Sequence, residues 1–149
     1  MTYPRQRSEL GILLFVANRA LEQRAFDAVV AAGITDITLA QARIAARIAP
    51  EGSRVSDLAE QARVTKQSAA SLVEQLEKAE YVERVPDPSD GRARLVRLTP
   101  RLQQVAQVAD AEVARVLAEW ADRVGEDRLQ QLREILRDLR GVTDPWWRP

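Results

Sequence analysis

Residues 53–99 read SRVSDLAEQARVTKQSAASLVEQLEKAEYVERVPDPSDGRARLVRLT, two short helices with a sharp turn between them, then two extended runs joined by a charged loop. Ser56 is placed to cap a first helix over 57–62, its hydroxyl accepting from the backbone N–H groups of the first turn while Asp57 sets negative charge at the positive end of the dipole. Thr65 caps a second helix, in which Ala69, Leu72, Val73 and Leu76 fall at i, i+3, i+4 and i+7 and so form one buried stripe. Lys66, Gln67, Ala70, Ser71, Glu74, Gln75 and Lys78 face away from that stripe. Near its N-terminus this face is small and polar, which lets a backbone approach nucleic acid closely, and its Lys, Gln and Ser donors suit phosphates and base edges. An ordinary solvated helix face would read the same way.

The extended runs 81–85 and 95–98 are β-branched or apolar and of strand length, and 86–94 between them is rich in turn formers, so the segment predicts a hairpin. Arg92 and Arg94 fall at its tip. Asp87 and Asp90 are placed to brace the loop through its own backbone or to hold an arginine. A guanidinium on a stiff ribbon suits the negative potential of a minor groove. Helix, turn, helix and hairpin in this order make a winged helix-turn-helix.

The run from Val64 to Pro100 resembles the DNA-binding core of the MarR family of bacterial transcriptional regulators. The likeness is carried by a loop of the form D-P-x-D-x-R, here Asp87, Pro88, Asp90 and Arg92, and by a strand ending in Val96, Leu98 and Thr99. Strict matching covers about a third of the chain, and the helical layout on either side agrees. Arg63 and Glu80 stand where the family often has glycine, at the helix-turn-helix turn and after the recognition helix. Both positions tend to want positive φ, which implies mild strain or a different cap.

Composition narrows the chemistry. The 149 residues suffice for one domain, or one domain with an added dimerisation layer, and hold no Cys and no His. Disulfides, thiolate metal sites, thiol switching and imidazole catalysis are thereby excluded. No nucleophile–base pair, Gly-rich phosphate loop or metal constellation can be picked out, so neither an enzyme nor a cofactor is expected. No run of about 20 apolar residues can span a bilayer, and Pro4, Arg5 and Arg7 ahead of an interrupted apolar run do not read as a signal peptide, so a cytoplasmic protein is expected. Net charge is zero, and 54–101 holds nine Lys or Arg against eight Asp or Glu. Affinity for DNA therefore depends on which cations face phosphate; Arg54, Lys66, Arg92, Arg94 and Arg97 are placed to share one face.

The rest of the chain reads as helix. A first helix over 8–31 carries Leu10, Leu13, Leu14, Ala17, Ala20 and Leu21 on one face and ends at Gly33. A second begins at Thr38, whose capping box with Gln41 opens a helix to about Ala49, ahead of Pro50. Arg54 and Val55 are expected to add a third strand to the wing. Thr99 and Pro100 start a long helix to Val124, with Leu102, Val105, Ala109, Val113, Val116, Leu117 and Trp120 on one stripe. Gly125 interrupts it, and a last helix over 126–140 spaces Leu129, Leu132, Leu136 and Leu139 as a coiled-coil seam before Gly141. Trp146 and Trp147 are expected to dock on the helical layer.

The expected fold is mainly α with a small β-wing, a winged helix-turn-helix plus helical dimerisation layer, divided as 1–33 and 101–149 for dimerisation and 34–100 for DNA. Its terminal helices carry more apolar surface than one small domain covers, so a homodimer is expected. A twofold particle can set two recognition helices in successive major grooves about 34–36 Å apart and read a pseudo-palindromic operator on double-stranded DNA. Expected contacts are Arg54 and Thr65 on phosphate, Lys66, Gln67, Ser68, Ser71 and Gln75 in the major groove, Arg92 in the minor groove and Arg94 on the backbone. Resemblance to the family implies a repressor that a small aromatic or anionic effector releases, and Phe15, Arg19, Ile44 and Arg47 are candidates for that site. The alternative is a winged-helix module that binds protein rather than DNA.

Overall fold

The computed structural model describes residues 9–147. The expected helix start at residue 8, the N-terminal arginines Arg5 and Arg7, and the last two residues of the tail, Arg148 and Pro149, lie outside them. Elements run in the order α1 (Glu9–Ala31), α2 (Leu39–Ala45), α3 (Val55–Ala62), α4 (Lys66–Lys78), β1 (Val82–Asp87), β2 (Asp90–Leu98), α5 (Pro100–Val124) and α6 (Glu126–Thr143).

A single core holds the winged part together. Leu58 of α3, Ala69, Val73 and Leu76 of α4, Ile44 of α2 and Val96 of β2 are fully or almost fully buried, and Leu102 and Val105 bring the start of α5 onto the same cluster. The stripe read from α4 is therefore its inward face. Tyr81, buried between α4 and β1, donates its hydroxyl to Asp36, which also accepts from Arg101 Nη2 at 2.7 Å, and the Arg101 guanidinium lies 4.3 Å from the Tyr81 ring centroid. The Tyr81 hydroxyl and then Arg101 hold the Asp36 carboxyl below its usual range. This cluster fixes the start of α5 against the loop ahead of α2.

Local caps explain most element ends. Thr65 Oγ1 accepts from Ser68 N at 3.0 Å, Thr99 Oγ1 accepts from Leu102 N, and Thr38 and Gln41 form a reciprocal capping box. Arg63 (φ 55°) and Glu80 (φ 61°) both adopt the left-handed conformation that their positions were expected to need.

Four local expectations are corrected. Helix α3 starts at Val55 with Arg54 as its N-cap, so Ser56 lies inside the first turn and caps nothing; no side chain caps this helix. The third strand shrinks to one bridge, Ser53 exchanging both backbone hydrogen bonds with Val96 (2.9 and 2.8 Å), because the chain turns helical two residues later. Gly52 permits that close approach: its φ is +106°, and a Cβ there would sit 2.9 Å from Leu95 Cβ. Helix α2 stops at Ala45 rather than Ala49, tightening through Arg47 N to Ile44 O and Ile48 N to Ala45 O. At the other end of the chain α6 runs through Gly141 to Thr143.

The wing is a two-stranded antiparallel sheet, longer than expected. Its strands pair from Val82 with Leu98 to Pro86 with Arg94, then Asp87 with Asp90 after a register shift that leaves Gly91, Arg92 and Ala93 as a bulge. Pro88 and Ser89 form the tip, so Arg92 and Arg94 belong to β2.

Above this unit α1 packs along α5, joined by Arg24, which donates to Glu112 (2.7 Å) and Glu119 (3.0 Å). The first half of α1 leaves Leu10, Ile12, Leu13, Leu14 and Phe15 exposed, and α6 leaves Leu132, Ile135, Leu136, Leu139 and Val142 exposed. Within the coiled-coil seam only Leu129 is buried. Trp147 lies 6.0 Å beneath the Arg140 guanidinium, and Trp146 borders the turn between α3 and α4 beside Arg63 and Val64.

Candidate nucleic-acid interface and effector cavity

Helix α4 exposes Lys66, Gln67, Ser68, Ser71 and Gln75 to solvent while Ala69, Val73 and Leu76 are buried. Thr65, which caps it, also accepts from or donates to the Ser68 hydroxyl at 2.8 Å, so these two side chains are engaged with one another. Lys66 and Gln67 carry no side-chain hydrogen bond among the described residues, and their donors are available. Gln75 is held differently. Its Oε1 accepts from Gln41 Nε2 at 2.8 Å, and its own Nε2 points to Ser71 Oγ at 3.4 Å.

The wing is braced by a carboxylate. Asp87 accepts from Ser89 Oγ (2.7 Å) and Ser89 N (2.9 Å) on one oxygen and from Arg54 Nη2 (2.7 Å) and Nε (2.9 Å) on the other. With four donors on it, Asp87 is only 7% exposed. The Ser89 contacts and then Arg54 lower its pKa to about 2, and the same pair raises that of Arg54. Arg54 thus reaches from the start of α3 to the wing tip, its Nε and Nη2 committed to the brace. Asp90 Oδ1 accepts from Arg92 N at 3.0 Å, which fixes the bulge and turns the Arg92 side chain loose.

The near-neutral charge of this region is sorted in space. Of the nine cations in 54–101, Arg54, Lys78, Arg84, Arg97 and Arg101 each hold a carboxylate, respectively Asp87, Glu74, Glu77, Glu83 and Asp36. Among the described residues Arg63, Lys66, Arg92 and Arg94 hold none, and they sit at the helix-turn-helix turn, the first residue of α4 and the exposed length of β2. Arg97, read from sequence as a cation for the shared face, is instead paired across the strands with Glu83 at 2.6 Å.

A cavity of about 640 Å³ opens between α1, α2 and α5. Its walls are mostly apolar, including Leu21, Phe26, Val29, Ile37, Ile48 and Leu102, and its polar rim consists of Asn18, Glu22, Arg43, Arg47 and Asp110. Glu22 is engaged by Arg43 (2.7 Å), whereas Arg47 has no carboxylate partner among the described residues and donates only to the Arg43 carbonyl. Of the four effector candidates the cavity brings Arg47 alone to its wall. Ile44 is buried in the core beside it, and Arg19 lies 5.7 Å from the ring of an exposed Phe15, further up α1. Sequence reasoning missed Asn18, Phe26 and the Glu22–Arg43 pair, which spans 21 residues and two helices and leaves no local spacing to find. No group of three or more possible metal ligands occurs among the described residues, and no helix there is long and apolar enough to cross a membrane.

A capped second helix with a free cationic N-terminus, a braced wing and a roof of long helices define a winged helix-turn-helix protein. The model of the MarR family matches residues 35–93, which run from the loop before α2 into the wing. No functionally curated protein matches the sequence. Among solved structures the chain is similar to NadR in complex with 4-hydroxyphenylacetate (26% identity, 93% of this chain and 97% of that one, TM-score 0.71). It is also similar to a MarR family protein of Mycobacterium tuberculosis in complex with salicylic acid (27% identity, 87% and 95%, TM-score 0.63). A transcriptional regulator from Thermotoga maritima shares the fold at 22% identity over 92% of this chain and 95% of that one, with a TM-score of 0.63.

Proposed function

We propose that the chain is a homodimeric, sequence-specific DNA-binding transcriptional regulator, a cytoplasmic repressor that a small apolar acid releases from its operator. The observation that carries this reading is the charge sorting: among the described residues Arg63, Lys66, Arg92 and Arg94 are the cations of 54–101 without a carboxylate, and all belong to the helix-turn-helix or the wing. Cations already neutralised within the protein add little on binding, whereas unpaired ones displace counterions from DNA. Lys66 and Gln67 supply free donors for the major groove and Arg92 a guanidinium for the minor groove.

The exposed leucines of α1 and α6 supply the dimer surface. The cavity supplies the effector site: its volume lies in the range of about 300–1,000 Å³ usual for small-molecule sites, and its apolar walls with one unpaired guanidinium suit an aromatic or aliphatic carboxylate. Two structural neighbours hold such acids, 4-hydroxyphenylacetate and salicylic acid.

A mobility shift with the duplex upstream of the chain's own coding region, in excess nonspecific competitor, tests the reading. A retarded complex of a protein dimer, weakened by millimolar salicylate in the parent and less so in Arg47→Ala, is expected. Failure to bind that duplex or any selected sequence would leave the protein-binding alternative as the better account.

A further inference from the structure

Residues 38–41 and 71–75 form one hydrogen-bonded chain whose direction is set by its buried end. Thr38 N can only donate, so the Gln41 atom facing it at 3.0 Å is the carbonyl oxygen. The other half of that amide, Nε2, therefore faces α4, where it can only donate, and the Gln75 atom that meets it at 2.8 Å is an oxygen as well. What remains for Gln75 to turn outward is its NH₂ group, lightly held by Ser71 Oγ at 3.4 Å. Gln41 is 8% exposed and is fixed at both ends, by its backbone N–H to Thr38 Oγ1 and its side chain to Thr38 N, so the arrangement has no freedom to reverse.

We infer that Gln41 is a specificity-positioning residue, which compels Gln75 to meet the major groove as a hydrogen-bond donor and not as an acceptor. A glutamine with both halves of its amide free pairs with adenine by accepting from N6–H and donating to N7; guanine offers two acceptors, N7 and O6, and thymine offers O4. With its oxygen engaged inside the protein, Gln75 favours bases by the acceptors they offer, guanine with two, thymine and adenine with one each, and discriminates against cytosine. The inference rests on the proposed DNA-binding role of α4.

Gln41→Glu tests it with little cost to the fold, because glutamate at the third helical position is itself a standard capping-box residue and still accepts from Thr38 N. Its second oxygen cannot donate to Gln75. The Gln75 amide then rotates to donate inward, its oxygen turns outward, and the favoured bases become those that present a donor, adenine and cytosine. Base preferences are read by sequencing the duplexes that each protein retains from a random-sequence pool, with thermal unfolding as a check on the fold. Gln75→Ala should erase preference at one position per half-site. At that position the parent should favour guanine or thymine over cytosine, and Gln41→Glu should favour adenine or cytosine over guanine and thymine, each by about fivefold, the worth of one hydrogen bond. In the double variant Gln41→Glu/Gln75→Ala the Gln41 change should have no further effect.

A preference unchanged by Gln41→Glu at the position that Gln75→Ala erases would overturn the inference alone, as would a Gln75→Ala protein with the parent's full motif. If Gln41→Glu fails to fold, a parent that favours cytosine over guanine and thymine at that position overturns it, and one that favours guanine or thymine over cytosine supports it. A parent that enriches no sequence at all overturns the DNA-binding reading and this inference with it.

Discussion

Salt dependence offers the sharpest test of the charge sorting, because the number of unpaired cations fixes its magnitude. In the proposed dimer each protomer would bring Arg63, Lys66, Arg92 and Arg94 to DNA, eight cations in all. At a slope of about −0.9 per neutralised phosphate, log K should fall against log salt with a slope of about −7, so affinity drops on the order of 10⁴-fold between 50 and 200 mM. Arg92→Ala removes two of the eight and should flatten the slope to about −5. Removing a cation together with its partner should not: in Arg97→Ala/Glu83→Ala the pair is self-neutralised at 2.6 Å and the slope should stay near −7. Fluorescence anisotropy on a labelled duplex across a potassium chloride series measures all three. A parental slope shallower than about −3, or equal flattening by Arg92→Ala and by the pair deletion, would refute the reasoning, since the bulk count of charges would then matter and not their pairing.

Leu58→Ala should cost about 2–5 kcal/mol in urea denaturation, because the side chain is fully buried where α3 meets α4 and the site has little room to collapse. Glu80→Gly should stabilise by about 0.5–1 kcal/mol, since Glu80 holds φ 61° without a side-chain partner and glycine removes that strain at some entropic cost. Asp87 should make the wing acid-sensitive: its folded pKa of about 2 lies below the ordinary aspartate value of about 3.9, so its contribution is complete above about pH 4 and is lost as pH falls towards 2. The stability difference between parent and Asp87→Asn should therefore close across that window, as read by thermal melts at each pH. Leu136→Glu, on the exposed seam of α6, should shift the protein to monomer in analytical ultracentrifugation and weaken binding to a two-site duplex more than to a single half-site.

Legibility in the sequence followed the range of the interactions. Helix α4 was readable in full because its cap, stripe and exposed face are all local: Thr65 bonds to Ser68, and Ala69, Val73 and Leu76 share one side. The left-handed turns at Arg63 and Glu80 were readable because both follow a helix end at a position where the family often carries glycine. The start of α3 was not. Ser56 looked like the better cap, but Arg54 is drawn to Asp87, 33 residues away, and the Ser53–Val96 bridge sets where the chain enters the helix. Turn formers likewise marked the wing without locating its tip, since Asp87 closes the turn around Ser89 and the strands pair up to it. The cavity was least legible, because three helices build it and the pairing of Arg43 with Glu22, which leaves Arg47 as the cavity cation without a carboxylate among the described residues, joins two of them.

Helix α2 links the two candidate sites. Leu39, Ala42, Ala46 and Arg47 line the cavity, while Gln41 turns the other way and bonds to α4 at Gln75. Helix α2 is short, seven residues opened by a capping box. On the proposed reading, an effector that wedges α1 from α2 would displace Gln41, and with it the contact to Gln75 on α4. Such a ligand acts only to the degree that it prefers the displaced state: a hundredfold loss of operator affinity needs a hundredfold preference, about 2.7 kcal/mol, and DNA must weaken the ligand by the same factor. One charge-assisted hydrogen bond from Arg47 is worth about 1.5–3 kcal/mol, enough for that coupling only if it forms in one state and not the other. The Arg43 carbonyl, which accepts from Arg47, competes with a ligand carboxylate for that guanidinium.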